Sequence, residues 1–228
     1  ADKRGKYLGV VESGTKTANG ATSGLDYLKQ LGVSHVQIMP MYDYGSVDET
    51  GDLSYNAQGA QNWGYDPENY NVPEGSYSSD PSDPASRVTE MKQMVKGLHE
   101  NDIRVIMDVV YNHVYDAANH SFNKTVPGYY FRYDDNGSLV NNSGCGNDTA
   151  SERKMMRKYI VDSVTYWAKN YNVDGFRFDL MGLIDTETMK EVRAALDEID
   201  PSIIILGEGW DMNTTMDEGE MTIQPNAY

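Results

Sequence analysis

Cysteine is nearly absent from this 228-residue chain. Cys145 is the single one, and one thiol closes no internal disulfide, so packing and hydrogen bonds must hold the fold. Basic residues are scarce: 19 Lys and Arg stand against 35 Asp and Glu, a formal net charge of −16. The nearest approach to a basic run is Arg153-Lys154 with Arg157-Lys158 at helical spacing, which reads as a solvated helix face. The chain therefore lacks the clustered cations that neutralise nucleic-acid phosphates or an anionic membrane surface. Long apolar runs are missing too. No stretch approaches the roughly 20 residues that cross a bilayer, and the opening ADKRGKYLGV has no apolar signal core, so neither nucleic acid nor membrane is expected as a partner. Tyrosine is what the chain has in plenty. Seventeen Tyr and three Trp supply flat amphipathic rings of the kind a sugar-binding groove uses, although ordinary packing accounts for most of them.

One apolar pattern recurs four times. Leu25, Leu28 and Leu31 share a helical face, and after Gly32 the run 33–39 reads as a short buried strand stopped by Pro40. Asp83 can cap a helix with Pro84 at its first position and Val88, Met91, Val95 and Leu98 along it, before a second strand over 103–110. Ser151 with Glu152 opens a helix carrying Met156, Ile160, Val164 and Trp167, and 175–179 is the strand after it. A helix from about Thr186, with Met189, Val192, Leu196 and Ile199, precedes a fourth strand over 203–206.

Four strands, each preceded by a helix and rich in β-branched residues, predict an α/β fold around a parallel sheet buried on both faces. An open doubly wound sheet and part of a (β/α)8 TIM barrel both satisfy that pattern, and the loops separate them. Segments 41–82 and 111–150 each run about 40 residues, whereas the segments entering the strands are short. In barrels, loops elaborated in this way gather with the active site at the C-terminal face. A dinucleotide-binding fold would want a glycine-rich turn after its first strand. Gly144-Cys145-Gly146 has Thr149 in place of the third glycine and opens no strand-to-helix turn. The expectation is a partial barrel, with 1–228 belonging to a single catalytic domain.

The last three strands end in carboxylates: Asp108, Asp179 and Glu208. Burying an acid costs several kcal/mol unless it is paired or used, and equivalent ends of neighbouring parallel strands converge on one place. Arg177 and Asp179 are two apart on a strand and share a face, so the guanidinium is expected to hold Asp179 ionised by lowering its pKa. Glu208 follows an apolar run and precedes Trp210, a setting expected to raise its pKa toward that of an acid protonated near neutrality. One carboxylate kept charged and one kept neutral are the minimal apparatus of glycoside hydrolysis. Asn112 and His113 lead from Asp108 into the following loop and are candidates for bonding sugar hydroxyls.

At these residues the sequence resembles the alpha-amylase superfamily of glycoside hydrolases. Asp108-Val109-Val110-Tyr111-Asn112-His113 is similar to the family's first conserved region, Gly175-Phe176-Arg177-Phe178-Asp179 to the second and Gly207-Glu208-Gly209-Trp210 to the third. Asn62-Trp63-Gly64-Tyr65-Asp66-Pro67, followed by Val72-Pro73-Glu74-Gly75-Ser76-Tyr77-Ser78, resembles the signature of type I pullulanases, which cut α-1,6 branch linkages. Leu180-Met181-Gly182 is similar to the same group. The resemblance implies that Asp179 is the nucleophile, Glu208 the general acid/base and Arg177 the partner orienting Asp179. It implies that Asp108 and His113 line the sugar subsite before the cut bond with Tyr65 stacked under that sugar, and that Trp210 and Met181 lie toward the leaving group. An α-glucan substrate, a retaining double displacement and no required cofactor follow in the same way. Asn112 matches a position that binds calcium in some relatives, which leaves that ion open.

The resemblance also implies something beyond the chain. The family's third acid lies in a His-Asp pair on the seventh barrel strand, and the sequence stops at Tyr228. The four strands would then be the second through fifth of the barrel, and the chain an internal fragment of a larger enzyme, itself inactive. An α-1,4-acting amylase, an isoamylase-like enzyme and a catalytically silent α-glucan-binding module are the alternatives.

Overall fold

In chain order the strands are β1 (His35–Ile38), β2 (Tyr42–Tyr44), β3 (Pro67–Pro73), β4 (Arg104–Val109), β5 (Gly175–Phe178) and β6 (Ile204–Gly207). The helices are α1 (Tyr7–Val10), α2 (Gly24–Leu31), α3 (Pro84–His99), α4 (Ser121–Thr125), α5 (Lys154–Tyr171) and α6 (Thr186–Asp197). The computed structural model describes residues 3–54, 62–212 and 214–227. Four strands form one parallel sheet in the order β1-β4-β5-β6. That order follows the chain without reversal, which departs from the switch point of a doubly wound sheet and is consistent with part of a TIM barrel.

The helix ends follow the sequence closely where a cap is built in. Asp83 accepts from the Ala85 N–H at 3.0 Å with Pro84 in the first turn of α3, and Asp185 accepts from the Thr188 N–H at 2.9 Å at the start of α6. Gly32 stops α2 in the left-handed region at φ 68°, a conformation that favours glycine. Ser151 does not open α5. That helix begins at Lys154, and the buried Ser151 hydroxyl instead accepts from the Asp185 N–H at 3.0 Å, tying the approach to α5 to the turn after β5.

Packing buries the α5 stripe completely and the α3 and α6 stripes except for the half-buried Val88 and Ile199. Met91, Val95 and Leu98 of α3, Met156, Ile160, Val164 and Trp167 of α5, and Met189, Val192 and Leu196 of α6 join one core against β4 and β5. The α2 stripe is only partly used, because Leu25 is buried while Leu31 is 53% exposed. The expectation of strands buried on both faces holds for β4, whose residues from Val105 to Val109 are all buried. It fails for β1 and β6, the outer strands, which are mostly half-buried with Leu206 exposed.

The long segments also carry structure that the sequence pattern concealed. Within 41–82, β2 and β3 pair as an antiparallel ribbon with irregular register, and a 3-10 turn follows at Gly75–Tyr77. Glu74 organises this region: its carboxylate accepts from the Ser76 N–H at 2.8 Å and the Tyr44 N–H at 3.2 Å, and burial pushes its pKa up to about 7. Within 111–150 lie α4 and the isolated bridges Phe131↔Thr149 and Tyr133↔Leu139.

Candidate active site

The parallel register assembles the site. Asp108 on β4 lies directly beside Arg177 on β5, and Phe178 lies beside Gly207 on β6. Asp179 and Glu208 therefore leave their strands side by side: the Asp179 N–H donates to Val109 O at 2.9 Å and the Glu208 N–H to Phe178 O at 3.0 Å. Alternation puts Arg177 and Asp179 on one face, and the guanidinium gathers the acids. Its Nη1 donates to Asp108 Oδ1 and Oδ2 at 2.9 and 3.1 Å and to Asp179 Oδ1 at 3.1 Å. Its Nη2 pairs with Glu208 Oε1. Burial opposes the Arg177 charge, but the Asp108 hydrogen bonds and the surrounding carboxylates hold its pKa above the usual guanidinium value.

One electrostatic expectation is corrected by this arrangement. The Asp179 pKa is raised, not lowered: burial comes first and the Glu208 charge adds to it, outweighing the hydrogen bond from Asn112 and the charge of Arg177. Asp108 is raised for the same leading reason, against hydrogen bonds from Arg177 and Tyr65. Glu208 does not sit in an apolar pocket. Its carboxylate oxygens face Arg177 Nη2 and the Leu180 N–H, the latter at 3.3 Å, because the apolar residues of β6 end before the side chain turns into the site.

The remaining candidates divide between the site and its frame. The Tyr65 phenol donates to Asp108 Oδ2 at 2.8 Å, which brings the 62–67 segment to the strand ends. Asn112 and His113 are buried and engaged by protein. The Asn112 amide donates to Asp179 O at 2.9 Å and Asp179 Oδ2 at 3.0 Å. The His113 ring lies with Nδ1 2.6 Å from Asn112 Oδ1 and Nε2 2.8 Å from Tyr65 O. Both neighbours accept, so bonding to both takes a proton on each ring nitrogen, which burial opposes by pulling the pKa down and the Tyr65 oxygen and the Asp179 charge favour. Both residues thus brace the site from within the fold. Trp210 stands out at 60% exposed, whereas Met181 is only 7% exposed and packs into the core beside Gly207. A cavity of about 1010 Å³, lined by the N-terminal segment with Ile38, Met39, Met41, Tyr77 and Met94, contains none of these candidates.

Residues 11–138 match the alpha-amylase catalytic domain. The chain belongs to the alpha-amylase family. It is 50% identical over 224 residues to a pullulanase of Bacillus subtilis (strain 168), which covers 98% of this chain and 30% of that protein. It is 39% identical over 191 residues to pullulanase A of Streptococcus pneumoniae, covering 82% of this chain and 15% of that protein. The crystal structure of Paenibacillus barengoltzii pullulanase in complex with maltohexaose and alpha-cyclodextrin superposes with a TM-score of 0.94 at 53% identity, over 99% of this chain and 34% of that one. Pullulanase from Anoxybacillus sp. LM18-11 complexed with maltotetraose gives 0.93 at 55% identity, over 99% and 32%. The chain thus spans about a third or less of the length of these relatives.

At Asn112, the position at which the resemblance leaves calcium open, the side chain is engaged by protein. Asn112 Oδ1 faces the His113 ring and the amide nitrogen is spent on Asp179. Leu180 is a site residue that sequence reasoning missed. It adopts φ 41° and ψ 50°, a left-handed conformation uncommon for a bulky residue, and this points its N–H at Glu208. No sequence signal marks a leucine for that role. Gly182 is the more legible companion: a Cβ there would stand 1.9 Å from Trp210 O, so only glycine lets the turn at Met181–Leu183 approach the segment after β6.

Proposed function

We propose that these 228 residues are part of a single (β/α)8 catalytic domain, corresponding to its second through fifth strands, in an enzyme that hydrolyses α-1,6-glucosidic linkages of α-glucans with retention of configuration. The convergence of Asp108, Asp179 and Glu208 on the Arg177 guanidinium carries this reading. A purely structural fold gains little from three acids sharing one cation, whereas displacement at a sugar carbon needs a nucleophile and an acid on adjacent supports. Asp179 attacks the anomeric carbon while Glu208 protonates the departing glycosidic oxygen, leaving a glycosyl ester on Asp179. Glu208, now deprotonated, takes a proton from water, which attacks the same carbon and releases Asp179. Arg177 holds both carboxylates in place, Asp108 and Tyr65 border the bound sugar, and the exposed Trp210 lies on the leaving-group side. The pullulanase relatives and their maltooligosaccharide complexes support an α-glucan as the substrate.

The test is reducing-sugar release by the full-length protein from pullulan and from amylose, beside its Asp179→Asn variant. Cleavage of pullulan at the branch-type bond, abolished by Asp179→Asn, is the expected result. Efficient cleavage of amylose with pullulan untouched would replace debranching by α-1,4 hydrolysis, and sugar binding without hydrolysis would leave only a glucan-binding module. Residues 1–228 expressed alone are expected to show no hydrolysis above the Asp179→Asn background, because β1 and β6 each lack a second strand partner among the described residues and unpaired parallel edges favour association over a closed site.

A further inference from the structure

We infer that Asn112 is a positioning residue for the Asp179 carboxylate and that, through His113, it ties the nucleophile to the 62–67 segment carrying Tyr65. The inference rests on the reading of Asp179 as the nucleophile. Asn112 is 0% exposed, and its two amide protons are divided between the Asp179 main-chain oxygen and Asp179 Oδ2. Reversing the amide would turn Oδ1 against both of these acceptors, so Asp179 sets its orientation. Oδ1 is thereby presented to His113 Nδ1 at 2.6 Å, and the ring, with a proton on each nitrogen, donates from Nδ1 to Oδ1 and from Nε2 to Tyr65 O. From Tyr65 the phenol returns to Asp108, and Arg177 Nη1 joins Asp108 back to Asp179.

The contacts close a ring of six residues: Asp179, Asn112, His113, Tyr65, Asp108 and Arg177. Its members come from β4 and its following loop, from β5 and its end, and from the 62–67 segment, so neither that segment nor the nucleophile shifts without the other. Each carboxylate oxygen of Asp179 is held from a different side, Oδ1 by Arg177 and Oδ2 by Asn112, which fixes the plane from which attack occurs. Asn112 is itself anchored, its main-chain oxygen accepting from the Thr149 N–H at 2.9 Å. A nucleophile misplaced by about 1 Å loses on the order of a hundredfold in rate, and cutting the ring at Asn112 frees one oxygen of Asp179 while leaving the sugar-facing groups in place.

The experiment is steady-state hydrolysis of pullulan by the full-length protein and its Asp179→Asn, Asn112→Ala, His113→Phe and Asn112→Ala/His113→Phe variants. Wild-type activity that disappears in Asp179→Asn secures the reading of the nucleophile; without that pair of results the reading fails, whatever Asn112 does. With it secured, Asn112→Ala should lower kcat by about a hundredfold with KM within about twofold. The double variant should be no more than about threefold worse than Asn112→Ala, because the tie is already cut. A kcat for Asn112→Ala within threefold of wild type, a loss residing in KM, or single losses that multiply in the double variant would each overturn the inference. Should Asn112→Ala not fold, the isosteric Asn112→Asp tests the same contact: it keeps the volume but turns an acceptor toward Asp179, so kcat should fall at least as far, and near-wild-type turnover would overturn the tie.

Discussion

The β4–β5 pair carries a carboxylate contact at each of its two ends, and the two ends differ in stoichiometry. At the N-terminal end, Asp174 just before β5 accepts from the Val105 N–H at 2.8 Å and from His99 Nε2 at 2.6 Å. One carboxylate meets one ring and one main-chain donor, and the contact pins strand to strand and to the end of α3. At the C-terminal end, one guanidinium faces Asp108, Asp179 and Glu208. Three carboxyl groups share one cation in a largely buried place, and burial together with the neighbouring carboxylates raises the Asp108 and Asp179 pKa values. A local pair is what stability asks for. A crowded one costs stability and gains only if something binds or reacts there.

Substitutions at the two ends should therefore separate activity from stability. The largest effect belongs to Asp179→Asn in the full-length protein: pullulan turnover should fall by at least about a thousandfold, and mass spectrometry should detect no glycosyl-enzyme. Glu208→Gln should cost about a hundredfold on pullulan and much less on a glycoside whose leaving group departs without protonation. Turnover of pullulan within twofold of wild type would remove Glu208 from the acid/base role. Tyr65→Ala should raise the barrier in kcat/KM by about 1–3 kcal/mol through lost stacking and the lost bond to Asp108. Asp174→Asn, at the other end of the same strands, should leave kcat within twofold while lowering unfolding stability by about 1 kcal/mol through the weakened acceptor for Val105 and His99. A loss of activity at Asp174 comparable to that at Tyr65 would erase the contrast between the two ends.

The loops show a second limit on what the sequence reveals. Residues of β3, Pro67–Pro73, are buried with a period near three, not the alternation by which strands are found, because the ribbon with β2 has shifted register. The ribbon therefore reads as bare loop from sequence, although it helps bring Tyr65 to the strand ends. Leu180 is equally silent, since nothing in a leucine announces a positive φ. The Asp179 pKa departs from the sequence expectation for a related reason: the neighbouring Arg177 is visible two positions away, whereas the burial that outweighs it is contributed by the whole surrounding fold.

The sequence by itself determined the alternation of helices and strands, the caps at Asp83 and Asp185, the apolar stripes of α3, α5 and α6, and the placing of Asp108, Asp179 and Glu208 at strand ends. All of these depend on spacings of a few residues, where backbone geometry dictates which side chains share a face. The tertiary structure alone decided which partners those side chains found. Asn112 meets Asp179 across 67 positions, His113 meets Tyr65 across 48 and Arg177 meets Asp108 across 69. Sheet register and loop packing create such contacts, and desolvation sets their strength; local periodicity contains neither.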